Sequence, residues 1–250
     1  MSKCLILATY NGNYKISERR RCNFNINNIK CNLENINQDL FNKIIIVIKE
    51  ETDNKYINLQ YDKYLKNIIE TDKIKKINIV NDEFLSYSSY YYAYLKYSDF
   101  DYYYFFEDDY IITENFINYS ENKFINESYD YIFGCINYNA PVVHATHCLT
   151  GATKKCLNKL FSSDFIENMK KTKHCHQIAF FIQFDESKFK GSDFFESKLR
   201  LPFFITSQNR IIYWFKSNKK CAVYPTQFFY LKKKKHLNGK KFDNYINNYI

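Results

Sequence analysis

Glycine and proline are scarce in this chain, at five and three residues in 250, and there is a single tryptophan. That excludes collagen-like repeats and linker-rich arrays. No apolar run approaches the roughly 18 residues that a membrane-spanning helix requires, so none is expected. Met1 to Thr9 carries one Lys and a five-residue apolar run, too short for a secretory leader, and none is expected. None of the eight cysteines forms a C-x-x-C pair, so reduced thiols and a cytoplasmic location are the expectation. A basic surface everywhere is excluded too. The formal charge is +9, but Lys216 to Lys241 holds nine Lys and no acid. Without those nine the chain has 27 basic residues, equal to its acidic count. The protein is a balanced body with one cationic C-terminal segment.

Hydrophobic residues make up 46% of the chain, with 24 Tyr and 23 Phe, which excludes disorder and allows a substantial core. The excess of Asn, Ile, Lys, Tyr and Phe matches AT-rich codons, so many of the tyrosines are expected to be core aromatics. Four histidines, His144, His147, His174 and His176, fall close together with Cys148 and Cys175 beside them. Residues i and i+2 of a strand share a face, but this spacing matches no standard zinc pattern.

Hydrophobic periodicity predicts strand, helix, strand, helix, strand, helix, strand over the first half. The strands are Lys3 to Tyr10, Lys43 to Lys49, Lys76 to Val80 and Tyr102 to Phe106, short continuous apolar or β-branched runs. The intervening helical patterns fall in Ile16 to Phe41 (Ile26, Ile29, Leu33, Ile36), Tyr56 to Ile69 (Tyr56, Leu59, Tyr64, Ile68) and Ser86 to Tyr97 (Tyr87, Tyr91, Tyr94). Such alternation predicts a mostly parallel sheet flanked by helices, an α/β fold. Further on, Thr113 is expected to cap a helix and Tyr129 to Asn137 to form a strand. A turn is expected at Gly151 with a helix behind it, a strand at Ile178 to Phe184, and a helix opening at Gly191-Ser192-Asp193. Leu201 to Thr206 and Arg210 to Phe215 look extended.

The fourth strand stops abruptly at Glu107-Asp108-Asp109. In open α/β sheets ligands bind beyond the C-terminal strand ends. Three adjacent carboxylates repel one another unless a cation or hydrogen bonds hold them. Oxygen ligands there suit Mg²⁺ or Mn²⁺, which can clamp a diphosphate. A solvated acidic loop behind a buried strand is the competing reading of the same three residues.

Phe105 to Ile111, FFEDDYI, resembles the D-x-D or E-D-D motif that ends the fourth strand of GT-A glycosyltransferases, enzymes that use nucleotide sugars. Leu5 to Gly12 is similar to that family's first strand, Ile44 to Asn54 to its second, and Asn81 to Asp109 to the segment leading into the motif. The resemblance covers about the first 140 residues. The second strand lacks the family's Asp-Gly-Ser turn, and the helix before the motif has Tyr where many members have Arg. It implies a GT-A fold, with a Rossmann-like nucleotide-sugar half at 1–112, a mixed acceptor-side half at 113–215 and a basic tail at 216–250, in one continuous domain. Asp109 would be a metal ligand for Mn²⁺ or Mg²⁺, with Glu107 or Asp108 on the ribose or the metal's water. Thr9, Asn11 and Glu51 would lie near the nucleoside, and Thr150 and Gly151 near the donor sugar. Asp193, with Glu196 second, would be the base that deprotonates the acceptor hydroxyl. As a capping Ser followed by acids, Ser192-Asp193 to Glu196 is equally a normal helix start. His236, behind Lys232 to Lys235, would be a late metal ligand.

The implied donor is a nucleotide diphosphate sugar, and the acceptor a glycan, a lipid-linked molecule or a protein. The basic tail would close over the leaving group or rest on an anionic membrane. Two other readings stand beside this one. A nucleic-acid binder would use the Lys-rich tail with stacking aromatics, against which stand the neutral body and the acids at the expected cleft. A metal-dependent nucleotidyltransferase shares the parallel sheet and acidic clamp. It usually shows a Gly-rich basic loop after the first strand, for which Asn11-Gly12-Asn13-Tyr14 is a poor substitute.

Overall fold

The computed structural model describes residues 1–12, 26, 29–30, 32–33, 38–108, 111–112, 114–137, 144–171, 180, 184, 188–193 and 222–223. Nine strands are described: β1 (Lys3–Tyr10), β2 (Lys43–Glu50), β3 (Ile74–Val80), β4 (Tyr102–Glu107), β5 (Ile111–Ile112), β6 (Tyr131–Asn137), β7 (His144–Thr153), β8 (Gly191–Asp193) and β9 (Ala222–Val223). The helices are α1 (Leu59–Lys66), α2 (Leu85–Lys96), α3 (Glu114–Asn126), α4 (Lys154–Leu160) and α5 (Phe165–Lys171).

Seven strands form one sheet in the order β3-β2-β1-β4-β7-β6-β8. The pairs β1–β2, β1–β4, β2–β3 and β6–β8 are parallel, while β7 runs antiparallel to both β4 and β6. Following these directions across the sheet, every strand except β7 points the same way, so six C-terminal ends share one rim. The fold is α/β, a Rossmann-like and mostly parallel sheet flanked by helices. The pairing of β4 with β7 carries the sheet from the first half of the chain into the second.

The central strands are continuous apolar runs because both faces are covered. Six of eight residues in β1 and in β2 are buried. On one face α1 and α3 cover Leu5, Leu7, Ile44, Ile46, Tyr104 and Phe106. On the other, α2, α4 and α5 cover Ile6, Ile45, Tyr103, Phe105, Tyr131 and Phe133. The tyrosines of α2 do what the sequence predicts: Tyr87, Tyr91 and Tyr94 are buried, together with Tyr90, whose ring lies tilted, centroid to centroid 4.8 Å from that of Phe105. Each such ring contributes about 1.5–3 kcal/mol by leaving water.

Four expectations are corrected. Around α1, Tyr64 and Ile68 pack partly buried against the core as expected, but the fully buried residues are Tyr61 and Leu65, while Leu59 is 77% exposed and Tyr56, before the helix, 44%. Asn58 caps the helix by accepting from the Tyr61 N–H, and that start turns the 61/65 stripe inward. Gly151 is no turn but lies within β7. The strand continues to Thr153, whose side chain accepts from the Cys156 N–H and begins α4. Gly191-Ser192-Asp193 is itself extended where a helix opening was expected: it pairs with Tyr131 to Phe133 as β8 along the edge of the sheet, and residues 194–199 lie outside the described residues. Phe180 and Phe184, described residues of a stretch expected as a strand, are helical. The extended runs expected after residue 200 and the Thr113 cap lie outside the described residues.

Candidate functional site

The strand order reverses between β1 and β4, which makes their C-terminal ends the switch point where ligands of such sheets bind. Glu107 closes β4 and is half-buried; Asp108 follows it and is 3% exposed. The Asp108 N–H donates to the Ala8 carbonyl at 3.1 Å, extending the β1–β4 ladder by one step.

Successive residues of an extended chain point to opposite faces, and the two acids obey this. Glu107 turns toward α2, where the Ser86 hydroxyl donates to its Oε1 at 2.6 Å. Asp108 turns toward α1. Its Oδ2 accepts from the Thr9 hydroxyl at 2.7 Å and from the Tyr61 hydroxyl at 2.6 Å. These two hydroxyl oxygens are themselves 2.6 Å apart. Thr9 and Tyr61 are buried at 4% and 3% exposure. A carboxylate out of water is costly unless hydrogen-bonded, and these hydroxyls supply that stabilisation.

The next residues along β1 are held the same way. Asn11 is buried; its Oδ1 accepts from the Glu51 N–H and its Nδ2 donates to Asp62, both at 2.9 Å. Its backbone N–H donates to the Lys49 carbonyl, and its carbonyl accepts from the Asn58 N–H. Glu51 Oε2 accepts from the Tyr10 hydroxyl and from Asn81 Nδ2, while Oε1 accepts from the backbone of Thr52 and Asp53. The Tyr10 hydrogen bond, ahead of the others, holds this carboxyl below its usual range. Gly12 bridges to Ile57, and a Cβ there would stand 2.2 Å from the end of the Tyr10 side chain, which a larger residue would have to push aside.

Thr9, Asn11, Glu51, Glu107 and Asp108 therefore converge on one rim, as the sequence predicts. The hydroxyl of Thr9, the amide of Asn11 and the carboxylates of Glu51 and Asp108 engage the chain's own groups. Sequence reasoning missed Tyr61 and Ser86, which hold the two acids. It also missed the pair beside them: Lys49, its side chain 4% exposed, bonds to Asp82, which accepts as well from the Ser88 hydroxyl at 2.9 Å. The Asn58 cap was the available signal for Tyr61.

The second-half residues fare differently. Thr150 is wholly buried, opposite Phe105 and Phe133 in mid-sheet, and Gly151 is buried beside it, so neither is placed to touch a donor sugar. Gly151 is needed for packing instead: a Cβ there would meet Phe124 and Ser120 of α3 at 3.3 Å. Asp193 ends β8, whose C-terminus lies on the same rim, three strand spacings of about 4.8 Å from β4. Asp109, Glu196 and His236 lie outside the described residues. The small sheet of β5 and β9 pairs Ile111 with Val223 and Ile112 with Ala222. It ties a point inside the lysine-rich segment to the strand that begins three residues after Asp108.

Among the described residues no group of three or more His, Cys, Asp or Glu is arranged to hold a metal ion. The one carboxylate described at the rim of the switch point besides the buried Asp108 is that of Glu107, bonded to Ser86. Nor is any helix among the described residues long and apolar enough to cross a membrane.

Neither a known protein family nor a curated protein matches the chain. Among solved structures, 4-diphosphocytidyl-2C-methyl-D-erythritol synthase from Anaerococcus prevotii is similar at 10% identity and a TM-score of 0.46, over 77% of this chain and 87% of that one. CMP:2-keto-3-deoxy-manno-octonic acid synthetase in complex with CTP is similar at 7% identity and a TM-score of 0.49, over 77% and 89%. TarS from S. aureus is similar at 13% identity and a TM-score of 0.44, over 74% of this chain and 33% of that one.

Proposed function

We propose that this chain is an enzyme, a metal-dependent glycosyltransferase that moves a sugar from a nucleotide diphosphate sugar to an acceptor hydroxyl. The observation that carries this reading is the β5–β9 pairing. It ties Ala222-Val223, inside the segment that carries nine Lys in the sequence, to Ile111-Ile112, three residues beyond Asp108 and next to the point where the strand order reverses. Lysines and carboxylates brought together there would suit a diphosphate and a cation.

In this reading Asp109, with His236 from the tail, would hold Mn²⁺ or Mg²⁺, and Glu107 would meet the ribose or the metal's water. The bound metal supplies charge neutralisation for the diphosphate. The rim of β1 and β2, at Asn11 and Glu51, orients the nucleoside. Lysines of the tail approach the diphosphate and help the leaving nucleotide depart with the electrons of the sugar–oxygen bond. Asp193, on the same rim, takes the proton of the acceptor hydroxyl as its oxygen attacks the anomeric carbon, and Glu196 is the second candidate.

A metal-dependent nucleotidyltransferase would use the same sheet and acids. The Asn11 N–H and carbonyl are taken up by Lys49 and Asn58, and Gly12 is bridged to Ile57; residues 13–25, the loop such an enzyme would use for phosphate, lie outside the described residues. Product analysis separates the two. Incubation with Mn²⁺ and a panel of nucleotide sugars should release a nucleoside diphosphate or its hydrolysis products. Pyrophosphate release from a nucleoside triphosphate plus a sugar phosphate would overturn the glycosyltransferase reading. A thermal-shift panel selects the donor, since a bound ligand raises apparent stability.

A further inference from the structure

We propose that β3, the outer strand of the sheet, is an interface between two copies of this chain, which pair antiparallel about Ile79 into one continuous sheet.

β3 ends the strand order and has β2 as its one neighbour. The Lys73 carbonyl accepts from the Ile44 N–H, and the Asn81 N–H donates to the Glu50 carbonyl. Odd-numbered residues of β3 therefore turn their backbone groups to β2, and even-numbered ones turn theirs outward. In the first half of the strand a hook of the chain meets these outward groups. Thr71 Oγ1 accepts from the Ile74 N–H at 3.0 Å, the Thr71 N–H donates to the Ile74 carbonyl at 2.9 Å, and Glu70 Oε2 accepts from the Lys76 N–H at 3.3 Å. Among the described residues nothing meets the outward N–H and carbonyl of Asn78 or of Val80. Both residues are exposed, Val80 to 66%. An exposed apolar side chain beside free backbone groups is a template for a further strand.

Those groups select the register. With a two-fold axis at Ile79, Asn78 of one copy stands opposite Val80 of the other. Each donates its N–H to the other's carbonyl, once on either side of the axis. A register centred on Ile77 would call on the Lys76 N–H, which Glu70 holds. One centred on Val80 would set Lys76 and Lys75 against Phe84 and Leu85, at the start of α2. Charge favours Ile79 as well. Counting on past the strand end, Lys75 comes opposite Glu83 of the second copy, and Lys76 opposite Asp82, so each lysine meets an acid. Glu83 is exposed. Lysines on an outer strand ordinarily repel another sheet, but a second copy brings their counter-charges with it. The paired stretch is short, so the dimer is a weak one that forms at high concentration.

Sedimentation velocity on the full chain over a concentration series reads the association constant. The wild type should pass from monomer to dimer. Val80→Pro removes an outward N–H without touching the bonds to β2, and should weaken association by about tenfold or more. Lys75→Glu should weaken it too, and Lys75→Glu combined with Glu83→Lys should restore it. Thermal unfolding of each variant checks that the monomer is intact. A wild type that stays monomeric to about 1 mM would overturn the proposal. So would a dimer indifferent to Val80→Pro, or one that the charge exchange does not rescue, since it then uses another surface. Growth beyond the dimer would exclude the two-fold register. Asn78 and Val80 amides protected from hydrogen exchange in a dilute monomer would show that the chain covers this edge itself, and would overturn the proposal as well.

Discussion

The hydroxyl of Tyr61, in the first turns of α1, donates to the carboxylate of Asp108, 47 positions later in the chain, across 2.6 Å. Both groups are almost fully buried, so this is an internal joint between a helix and the end of a strand. Asp108→Ala removes the shared acceptor and leaves two buried hydroxyls to re-pair with each other alone. We expect a loss of about 1–3 kcal/mol, read as a lower urea midpoint with an unchanged slope. A variant as stable as the wild type would show that the joint is not worth its burial.

Asp109→Ala should abolish both transfer and metal-dependent nucleotide binding while the far-ultraviolet circular dichroism and melting profile persist. Unchanged turnover would remove the assignment of the acidic strand end to metal.

Lys49 and Asp82 make a prediction about pH. Burial lowers the Lys49 pKa from its ordinary 10.5, and the Asp82 hydrogen bond opposes the shift in part. Below that depressed value Lys49 is charged in both states and its burial is a standing cost. As pH rises from there toward 10.5, the folded state has lost a proton that the unfolded state retains, and stability rises. The difference in urea stability between wild type and Lys49→Met should therefore move in favour of the wild type over that window. The tyrosines raised by burial titrate in both proteins and cancel. Removing only the partner, as in Asp82→Ala, leaves the ammonium buried alone and should cost about 3–5 kcal/mol at neutral pH.

Much of this architecture was legible. Ile44 to Ile48 and Tyr102 to Phe106 read as strands because both faces are covered, and the alternation with α1 and α2 implied parallel pairing. The acidic end of β4 was legible as a candidate site because it follows such a strand. What escaped depends on partners far away in sequence. Gly151 looks like a turn by composition, but its size answers to Phe124 and Ser120 of α3. Ser192-Asp193 carries the local signature of a helix start, and the open side of β6 claimed it as a strand instead. Tyr61 is one tyrosine among 24; the Asn58 cap marks its place in the helix, but nothing local marks it as the one that meets an aspartate.

Gly151→Val follows from the same contact. Its side chain would press on Phe124 and Ser120, and we expect destabilisation of about 1–3 kcal/mol, measured by thermal unfolding. Donor chemistry should be unaffected, because the position is buried in mid-sheet. A selective loss of turnover with normal stability would return Gly151 to the donor site.

Truncation before Lys216 tests the tail. Loss of donor affinity in solution supports closure over the diphosphate, and loss only of binding to anionic vesicles supports a membrane role. Loss of nucleic-acid retention on filters at moderate salt would favour the polymer-binding reading.

The place of β1 in the sheet also bears on how the chain is made. Cys4 pairs with Lys43 on one side, and Lys3 with Tyr102 on the other. During synthesis the first strand can gain one neighbour early, but its second leaves the ribosome some 60 residues later, on the order of seconds at ordinary elongation rates. Throughout that interval an edge of apolar backbone stands uncovered. Its capture by a chaperone, or by another nascent copy, is the hazard this topology builds in. Slowing elongation between β2 and β4 should lower the soluble yield more than slowing it after β4.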